Sequence, residues 1–89
     1  METTTLTWKV ELRLTDRDGH THAEARLHSG LPADLTATGD ARLSTDDPVD
    51  VPQIGFELAA ARALTRLGEL LVQRAGGDVQ TLLRELHRV

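Results

Sequence analysis

The residues of this chain that could bind a metal ion are three histidines on one predicted strand. His20 and His22 are two positions apart, and side chains two apart on a β-strand point to the same face, where both could reach one ion. His28 extends that face, but the chain has no cysteine and no clear fourth ligand lies nearby. The pattern favours histidines on a solvated surface, and we predict neither a metal site nor a cofactor.

The same predicted face carries residues that could bind RNA phosphates. Four basic residues are expected there: Lys9, Arg13, Arg26 and Arg42. Three acidic residues are interleaved with them: Glu11, Glu24 and Asp40. Such alternation is typical of cross-strand ion pairs, and the face lacks the aromatic side chains on which RNA bases stack. The pattern favours an ion-paired surface, with RNA contact as the alternative.

Arg62 completes the candidate RNA- or partner-binding set. Together with Glu57 it flanks the apolar side of a predicted helix, where the two could fix that helix to the sheet edge or to a partner. Ordinary helix surface is the simpler interpretation of both. Neither Ser29 nor Ser44 lies in a nucleophile-elbow pattern, and no glycine-rich phosphate loop precedes a helix. We therefore predict that the chain is not an enzyme.

Alternation of apolar and polar residues predicts three antiparallel strands, at about residues 6–15, 20–28 and 35–43. On the first strand, five residues are expected to face the core: Leu6, Trp8, Val10, Leu12 and Leu14. Asp18-Gly19 predicts a tight hairpin between the first two strands. The inward residues of the second and third strands are small, which lets a helix lie close to the sheet.

The longest periodic segment predicts an amphipathic helix at about residues 53–74. Its expected apolar arc consists of Leu58, Ala60, Ala61, Ala63, Leu64, Leu67, Leu70 and Leu71. Gly76-Gly77 predicts a left-handed stop, and Asp78 predicts the N-cap of a short second helix at about residues 79–88. The expected fold is α+β, a single domain over residues 1–89 with the order β-β-β-α-α.

The bulk composition predicts a small cytoplasmic protein that pairs with itself. A chain of 89 residues is marginally stable alone, and a three-stranded sheet with two free edges and one wide apolar helix invites a homodimer. The net charge of −4 argues against nonspecific nucleic-acid binding. No apolar run is long enough to span a membrane, the start lacks a signal-peptide pattern, and no small-molecule substrate is indicated.

One motif resembles a known family. Pro52-x-Ile54-Gly55-x-Glu57-Leu58-x-x-Ala61-Arg62-Ala63-Leu64-x-x-Leu67 is similar to the signature of a small actinobacterial family, domain of unknown function 1876. Three shorter pieces resemble its strand motifs: Trp8-x-Val10, Ala23-x-Ala25-Arg26-Leu27 and Gly39-x-Ala41-Arg42-Leu43. The resemblance covers about residues 6 to 75, and the segment after Gly77 is not expected to align.

This resemblance implies a fold like that of double-stranded-RNA-binding domains, often dimeric, and mycobacterial relatives linked to dormancy. Some relatives have been likened to ribosome hibernation factors, and the family brings no catalytic or cofactor residues. It leads us to expect a non-catalytic stress or dormancy protein associated with ribosomes or RNA. The alternative is a dimeric protein–protein interaction module with no nucleic-acid role, which the acidic balance favours.

Overall fold

A three-stranded antiparallel meander carries one long helix. The computed structural model describes residues 2–30, 33–42 and 52–87. The elements are β1 (Lys9–Arg17), β2 (His20–His28), β3 (Leu35–Arg42) and α1 (Pro52–Leu86), and the strands lie side by side in the order β1-β2-β3. The predicted α+β class and the meander are confirmed. Leu43 and Ser44 lie outside the described residues.

The predicted hairpin between β1 and β2 is confirmed, and its turn consists of two residues, Asp18 and Gly19. Both residues have a positive φ, 51° for Asp18 and 80° for Gly19, as a type I′ turn requires. Arg17 pairs directly with His20 across the turn. The strand therefore ends at Arg17, where pairing stops, and the predicted end at residue 15 is wrong. The predicted start at residue 6 is also wrong, since pairing begins with Lys9 opposite His28.

The core is built mainly from alanine. Eight hydrophobic residues of the described chain are buried: Ala23, Ala25, Leu27, Ala37, Ala41, Ala59, Ala63 and Leu67. Gly39 lets the helix approach closely, because a Cβ at that position would lie 2.6 Å from the carbonyl oxygen of Ala59 and would also meet the backbone nitrogen of Ala63. The predicted packing of small residues between helix and sheet is confirmed.

The predicted core face of β1 points the right way but is not covered. The cross-strand partners of Val10 and Leu12 are the buried Leu27 and Ala25, so these side chains point to the helix side of the sheet. They are nevertheless 43% and 38% exposed. The reason is that α1 lies mainly over β3 and β2 and contacts β1 least. Trp8, expected in the core, lies before the strand and is exposed.

The chain forms one helix from Pro52 to Leu86, so the predicted stop at Gly76-Gly77 and the N-cap at Asp78 are wrong. Among the described residues, positive φ occurs only at Asp18, Gly19 and Gly30, and Gly76 and Gly77 keep a helical backbone. Glycine inside a helix costs only about 1 kcal/mol, less than ending and restarting a helix would lose. The hydroxyl of Thr81 donates to the carbonyl of Gly77 at 3.0 Å, as in an uninterrupted turn.

The buried side of α1 also differs from the predicted arc. Its buried residues are Gly55, Ala59, Ala63 and Leu67, spaced by four. Leu58, Ala61 and Leu64, which the periodicity assigned to the same apolar arc, are exposed. The reason is that one sheet face covers only a narrow stripe of a helix, so the rest of a wide apolar arc stays in solvent. Two apolar faces of the described chain are therefore uncovered, one on β1 and one on α1.

Candidate interaction surfaces

The outer face of the sheet brings together the histidines and the basic residues that the sequence predicts there. The strand register aligns them in rows across the sheet. Arg13 lies opposite Glu24, and Glu11 lies opposite Arg26. Lys9 lies opposite His28 at one end of the face. We call this the outer sheet face, and it consists of the odd-numbered residues of β1 and the even-numbered residues of β2 and β3.

Histidines make the cross-strand contacts of this face. One carboxylate oxygen of Asp40 accepts from the Nε2 atom of His20 at 3.0 Å and from the Nδ1 atom of His22 at 2.9 Å. His28 lies 3.0 Å from Asp34 and 3.9 Å from Glu11. The sequence predicted cross-strand ion pairs between the basic and the acidic residues of this face, and the structure differs in which basic side chains make them. The three histidines, rather than the arginines, meet the acidic residues of neighbouring segments.

The hydrogen bond from His22 holds the pKa of Asp40 below its ordinary value of 3.8, with a further lowering from His20 that burial opposes. Both ring nitrogens donate to the carboxylate, and a hydrogen bond to the ionised form of a carboxyl group favours that form. Because the folded-state pKa is lowered, the contribution of Asp40 to stability is present above pH 3.8 and is lost as the pH falls through the folded pKa.

Replacing His22 with alanine should therefore raise the pKa of Asp40 toward 3.8. The measurement is an NMR titration of the Asp40 carboxyl carbon in wild type and variant. His28→Ala is the matched control, since His28 contacts Asp34 and Glu11 instead of Asp40. An equal shift in both variants, or no shift in His22→Ala, would contradict the shared carboxylate.

Several cations of the outer sheet face have no acidic partner. Arg26 lies 3.5 Å from Glu24 on its own strand. Within the described residues, four others have no carboxylate within the 4.0 Å of an ion pair: Lys9, Arg13, Arg17 and Arg42. Arg17 was missed because the predicted strand ended at residue 15; continuing the alternation by two residues would have found it. These cations are the part of the face that could contact an anion.

Arg62 is not part of that face. Its Nη1 atom donates to the main-chain carbonyl oxygen of Asp40 at 2.6 Å, on the open edge of β3. Arg74 donates in the same way to the carbonyl of Ala33 at 3.3 Å. Glu57 instead accepts from Gln53 within the helix at 3.1 Å. Arg62 therefore holds α1 to the sheet edge, which is one of the roles that the sequence suggested for it. It does not lie with the four predicted basic residues of the outer sheet face: Lys9, Arg13, Arg26 and Arg42.

The uncovered apolar side chains of the described chain lie in two parts, one on and beside β1 and one on α1. Leu6, Trp8 and the inward side chains of β1 make the first part, which we call the β1 apolar face: Leu6, Trp8, Val10, Leu12 and Leu14. The second part lies on α1 and reaches its C-terminal end, where Leu86 is 63% exposed. Soluble monomers rarely expose contiguous apolar patches larger than a few hundred Å², so these two parts are the candidate sites for protein contact.

A family model described as Rv2632c-like matches residues 6–87 of this chain. The chain belongs to the Rv2632c-like family. The uncharacterized protein MT1780 of Mycobacterium tuberculosis is 34% identical over 82 residues, covering 92% of this chain and 85% of the relative. The uncharacterized protein Rv2632c of the same species is 38% identical over 76 residues, covering 83% and 77%. The expectation that the segment after Gly77 would not align is wrong, because the family match continues through it.

A solved structure has the same fold. The crystal structure of Rv2632c matches this one with a TM-score of 0.78 at 35% identity, over 91% of this chain and 94% of that chain. The relatives reported above are uncharacterized, so the Rv2632c-like family brings no activity with it. The family name and the likeness to double-stranded-RNA-binding domains that the helix motif suggested stay predictions.

The described part of this Rv2632c-like chain shows neither a metal-binding cluster nor a membrane-spanning helix. Across residues 2–30, 33–42 and 52–87, no group of three or more histidine, aspartate or glutamate side chains is arranged to hold a metal ion. No helix within those same ranges combines the length and the hydropathy that crossing a bilayer requires.

Proposed function

We propose that this chain is a non-catalytic protein–protein interaction module that acts in the cytoplasm as a homodimer. The observation that carries the proposal is the imbalance between its core and its surface. Six of the eight buried hydrophobic residues within the described ranges are alanines. Thirteen large hydrophobic side chains of the described residues are exposed, among them Trp8 and Ile54. Apolar side chains on this scale are typical of surfaces that bind another protein.

The chemistry of the described residues supports the non-catalytic part of this proposal. Catalytic acids, bases and nucleophiles usually have perturbed pKa values in a cleft. The carboxylate of Asp40 lies on an exposed sheet face. Its pKa is lowered by two histidines that simply share it. The groove beside Asp40, which Arg62, Arg66 and Glu69 also line, is open to solvent, so a substrate there would keep most of its water.

Two neighbours on β1 test which surface the protein uses. Leu12 lies on the β1 apolar face, and the adjacent Arg13 points to the outer sheet face. The purified full chain and its variants would be immobilised and exposed to ribonuclease-treated lysate of the producing organism at high salt. We expect Leu12→Glu to lose the protein partners that wild type retains, because a buried unpaired carboxylate opposes apolar contact. We expect Arg13→Glu to retain them.

The control is the fold of each variant, measured by circular dichroism, with Leu12→Ala as a milder change if Leu12→Glu does not fold. Partners that are retained by both Leu12 variants and lost by Arg13→Glu would contradict the proposal. Apolar contacts respond little to salt, whereas phosphate contacts weaken steeply as salt rises. The same experiment repeated at low salt without ribonuclease therefore separates the two surfaces.

A second candidate function is association with RNA or ribosomes through the outer sheet face. It is favoured by the four cations without a carboxylate partner in the described chain: Lys9, Arg13, Arg17 and Arg42. The role in dormancy or stress that the family resemblance implies belongs with this candidate and stays a prediction. Co-migration with ribosomal particles at low salt, abolished by Arg13→Glu and by ribonuclease, would favour it. If the protein is found only at the top of a sucrose gradient, away from the ribosomal particles, association with ribosomes is excluded.

A further inference from the structure

The unbroken helix carries an exposed heptad pattern that two separate helices would not have. Five small or apolar residues recur every seven positions along α1: Ile54, Ala61, Gly68, Ala75 and Leu82. A second set also recurs every seven positions, four residues after the first: Leu58, Thr65, Val72, Val79 and Leu86. Together they alternate by four and three, which is the spacing of a coiled-coil seam. We call these ten positions the α1 seam.

The α1 seam is free of the sheet. All ten of its residues are exposed. The residues that α1 buries against the sheet, Gly55, Ala59, Ala63 and Leu67, belong to neither set. Nine of the ten seam positions are apolar or glycine, and Thr65 is the exception. A surface helix of a monomer would carry polar residues at these positions. The seam therefore has the composition of a helix contact without having one inside the chain.

The length of α1 points to what covers the seam. Its 35 residues span about 52 Å, whereas the nine-residue strands span about 30 Å. The buried stripe ends at Leu67, but Leu70 and Leu71 still pack against the core, and Arg74 donates to the carbonyl of Ala33, so about the last three turns of the helix run past the sheet. The molecule is accordingly elongated, 65 Å in its longest direction. Because α1 is nearly twice as long as the strands, a second copy of α1 can lie along it in the opposite direction.

We propose that two copies pair through their α1 helices, antiparallel, along the whole α1 seam. This inference deepens the proposed homodimer and rests on it. A two-fold axis beside residue 70 places the C-terminal half of each helix on the N-terminal half of the other. Each contact then occurs twice, as a symmetric dimer interface requires. The C-terminal part of α1 that extends past the sheet in one copy then packs on the exposed seam of the N-terminal part of α1 in the other copy.

The side chains of the seam are complementary in this register. The facing pairs are Ile54 with Leu86, Leu58 with Leu82, Ala61 with Val79, Thr65 with Ala75, and Gly68 with Val72. Large residues meet at the two ends, and a small residue is present in each of the three central pairs. Small residues let helix backbones approach closely at the centre, while the leucines fill the ends. Knobs of one helix thus meet holes of the other along five heptads.

The amount of apolar surface fits a dimer. Six large side chains of the seam are each 42–72% exposed: Ile54, Leu58, Val72, Val79, Leu82 and Leu86. Covering them together with the flanking Leu83 and Leu64 removes several hundred Å² of apolar surface from each copy. A standard interface buries about 800 Å² per partner. A second copy is favoured over an unrelated helix because the seam is its own complement when reversed.

Cysteine cross-linking tests both the partner and the register, since the natural chain has no cysteine. Leu58 and Leu82 are about 36 Å apart within one helix, far beyond the reach of a disulfide. We expect a mixture of Leu58→Cys and Leu82→Cys chains to form a covalent dimer on oxidation, and each variant alone to form little. Arg66→Cys mixed with Arg84→Cys, on the polar side of α1, is the matched control and should remain uncrosslinked.

A charge substitution gives the second measurement. Val72→Glu should raise the dimer dissociation constant by about 100-fold or more, because each dimer would bury two unpaired carboxylates. The mass would be measured by light scattering over a range of concentrations. Val72 is 72% exposed in one copy, so the fold should survive. Gln73→Glu, one residue along on the polar side, carries the same charge and should leave the dimer intact.

Three results would overturn the seam. The first is a monomeric mass for wild type at high micromolar concentration. The second is efficient cross-linking of Leu58→Cys alone, because that would indicate parallel helices. The third is equal dimerisation of the Val72→Glu and Gln73→Glu variants. None of these depends on lysate capture at Leu12. If the seam measurements fail but partner binding from lysate still depends on Leu12, the proposed interaction function stands without the seam. If the seam measurements succeed but partner binding is lost in Arg13→Glu and retained in the Leu12 variants, the seam stands and the proposed use of the β1 apolar face is overturned.

Discussion

Replacing Gly39 with alanine should destabilise this protein by about 3 kcal/mol or more, the upper end of the cost of overpacking. The added Cβ would lie 2.6 Å from the carbonyl oxygen of Ala59 and would also meet the backbone nitrogen of Ala63. Both are backbone atoms of α1, so no side chain can turn aside to make room. The helix would have to move away from the sheet and would loosen the small alanine core. Urea unfolding followed by circular dichroism measures the change.

The matched control for this prediction is Gly76→Ala. A Cβ at Gly76 meets nothing within 4 Å, and the residue lies inside α1. Alanine is favoured over glycine in a helix by about 1 kcal/mol, so this variant should be more stable than wild type. Both variants must be compared at one protein concentration, because association adds to apparent stability. A Gly39→Ala protein as stable as wild type would refute the close contact between helix and sheet.

Shortening Leu67 to alanine should cost about 2–5 kcal/mol, the usual range for emptying a buried leucine site. Leu67 is 5% exposed, and Leu27 is the one other leucine among the eight buried hydrophobic residues of the described chain. The remaining six are alanines, which cannot fill the space that the leucine side chain leaves. A small core offers few alternative contacts, so the loss should appear as a lower urea midpoint with an unchanged slope.

Leu64→Ala is the control for Leu67→Ala, since it removes the same atoms one helical turn away. Leu64 is 42% exposed in one copy, so when both variants are compared at a concentration where the chain is monomeric, less apolar surface returns to water and no enclosed cavity forms. We expect its cost to be less than half of that at Leu67. Equal losses at the two positions would mean that the sheet does not distinguish the two faces of α1 as the structure indicates.

Strand positions and faces were predictable because their causes are local. Period-two alternation assigns each side chain to a face, and Asp18-Gly19 has the residues that a type I′ turn demands. The buried positions Ala23 and Ala37 follow from this alone. The strand ends were less predictable, because they depend on where pairing begins and stops. That is why Arg17, which continues the outer sheet face, was missed.

The outer sheet face was predictable in its membership but not in its contacts. Alternation places Arg13, Arg26 and the histidines on one side, as found. Which atoms meet depends on side-chain rotamers, which the spacing of residues does not determine. Asp40 contacts two histidines, and Glu24 pairs along its strand with Arg26 instead of across to Arg13. The sharing of one carboxylate by two imidazoles had no signal in the sequence.

The sequence by itself determined the order of the elements, the two faces of the sheet and the apolar character of α1, since these follow from short-range periodicity and turn chemistry. The tertiary structure decided how much of that apolar character is covered. Gly39 and the alanines draw α1 onto β2 and β3, so β1 and the far side of α1 stay in solvent. The continuity of the helix through Gly76-Gly77 was also decided there, because two glycines weaken a helix without ending it.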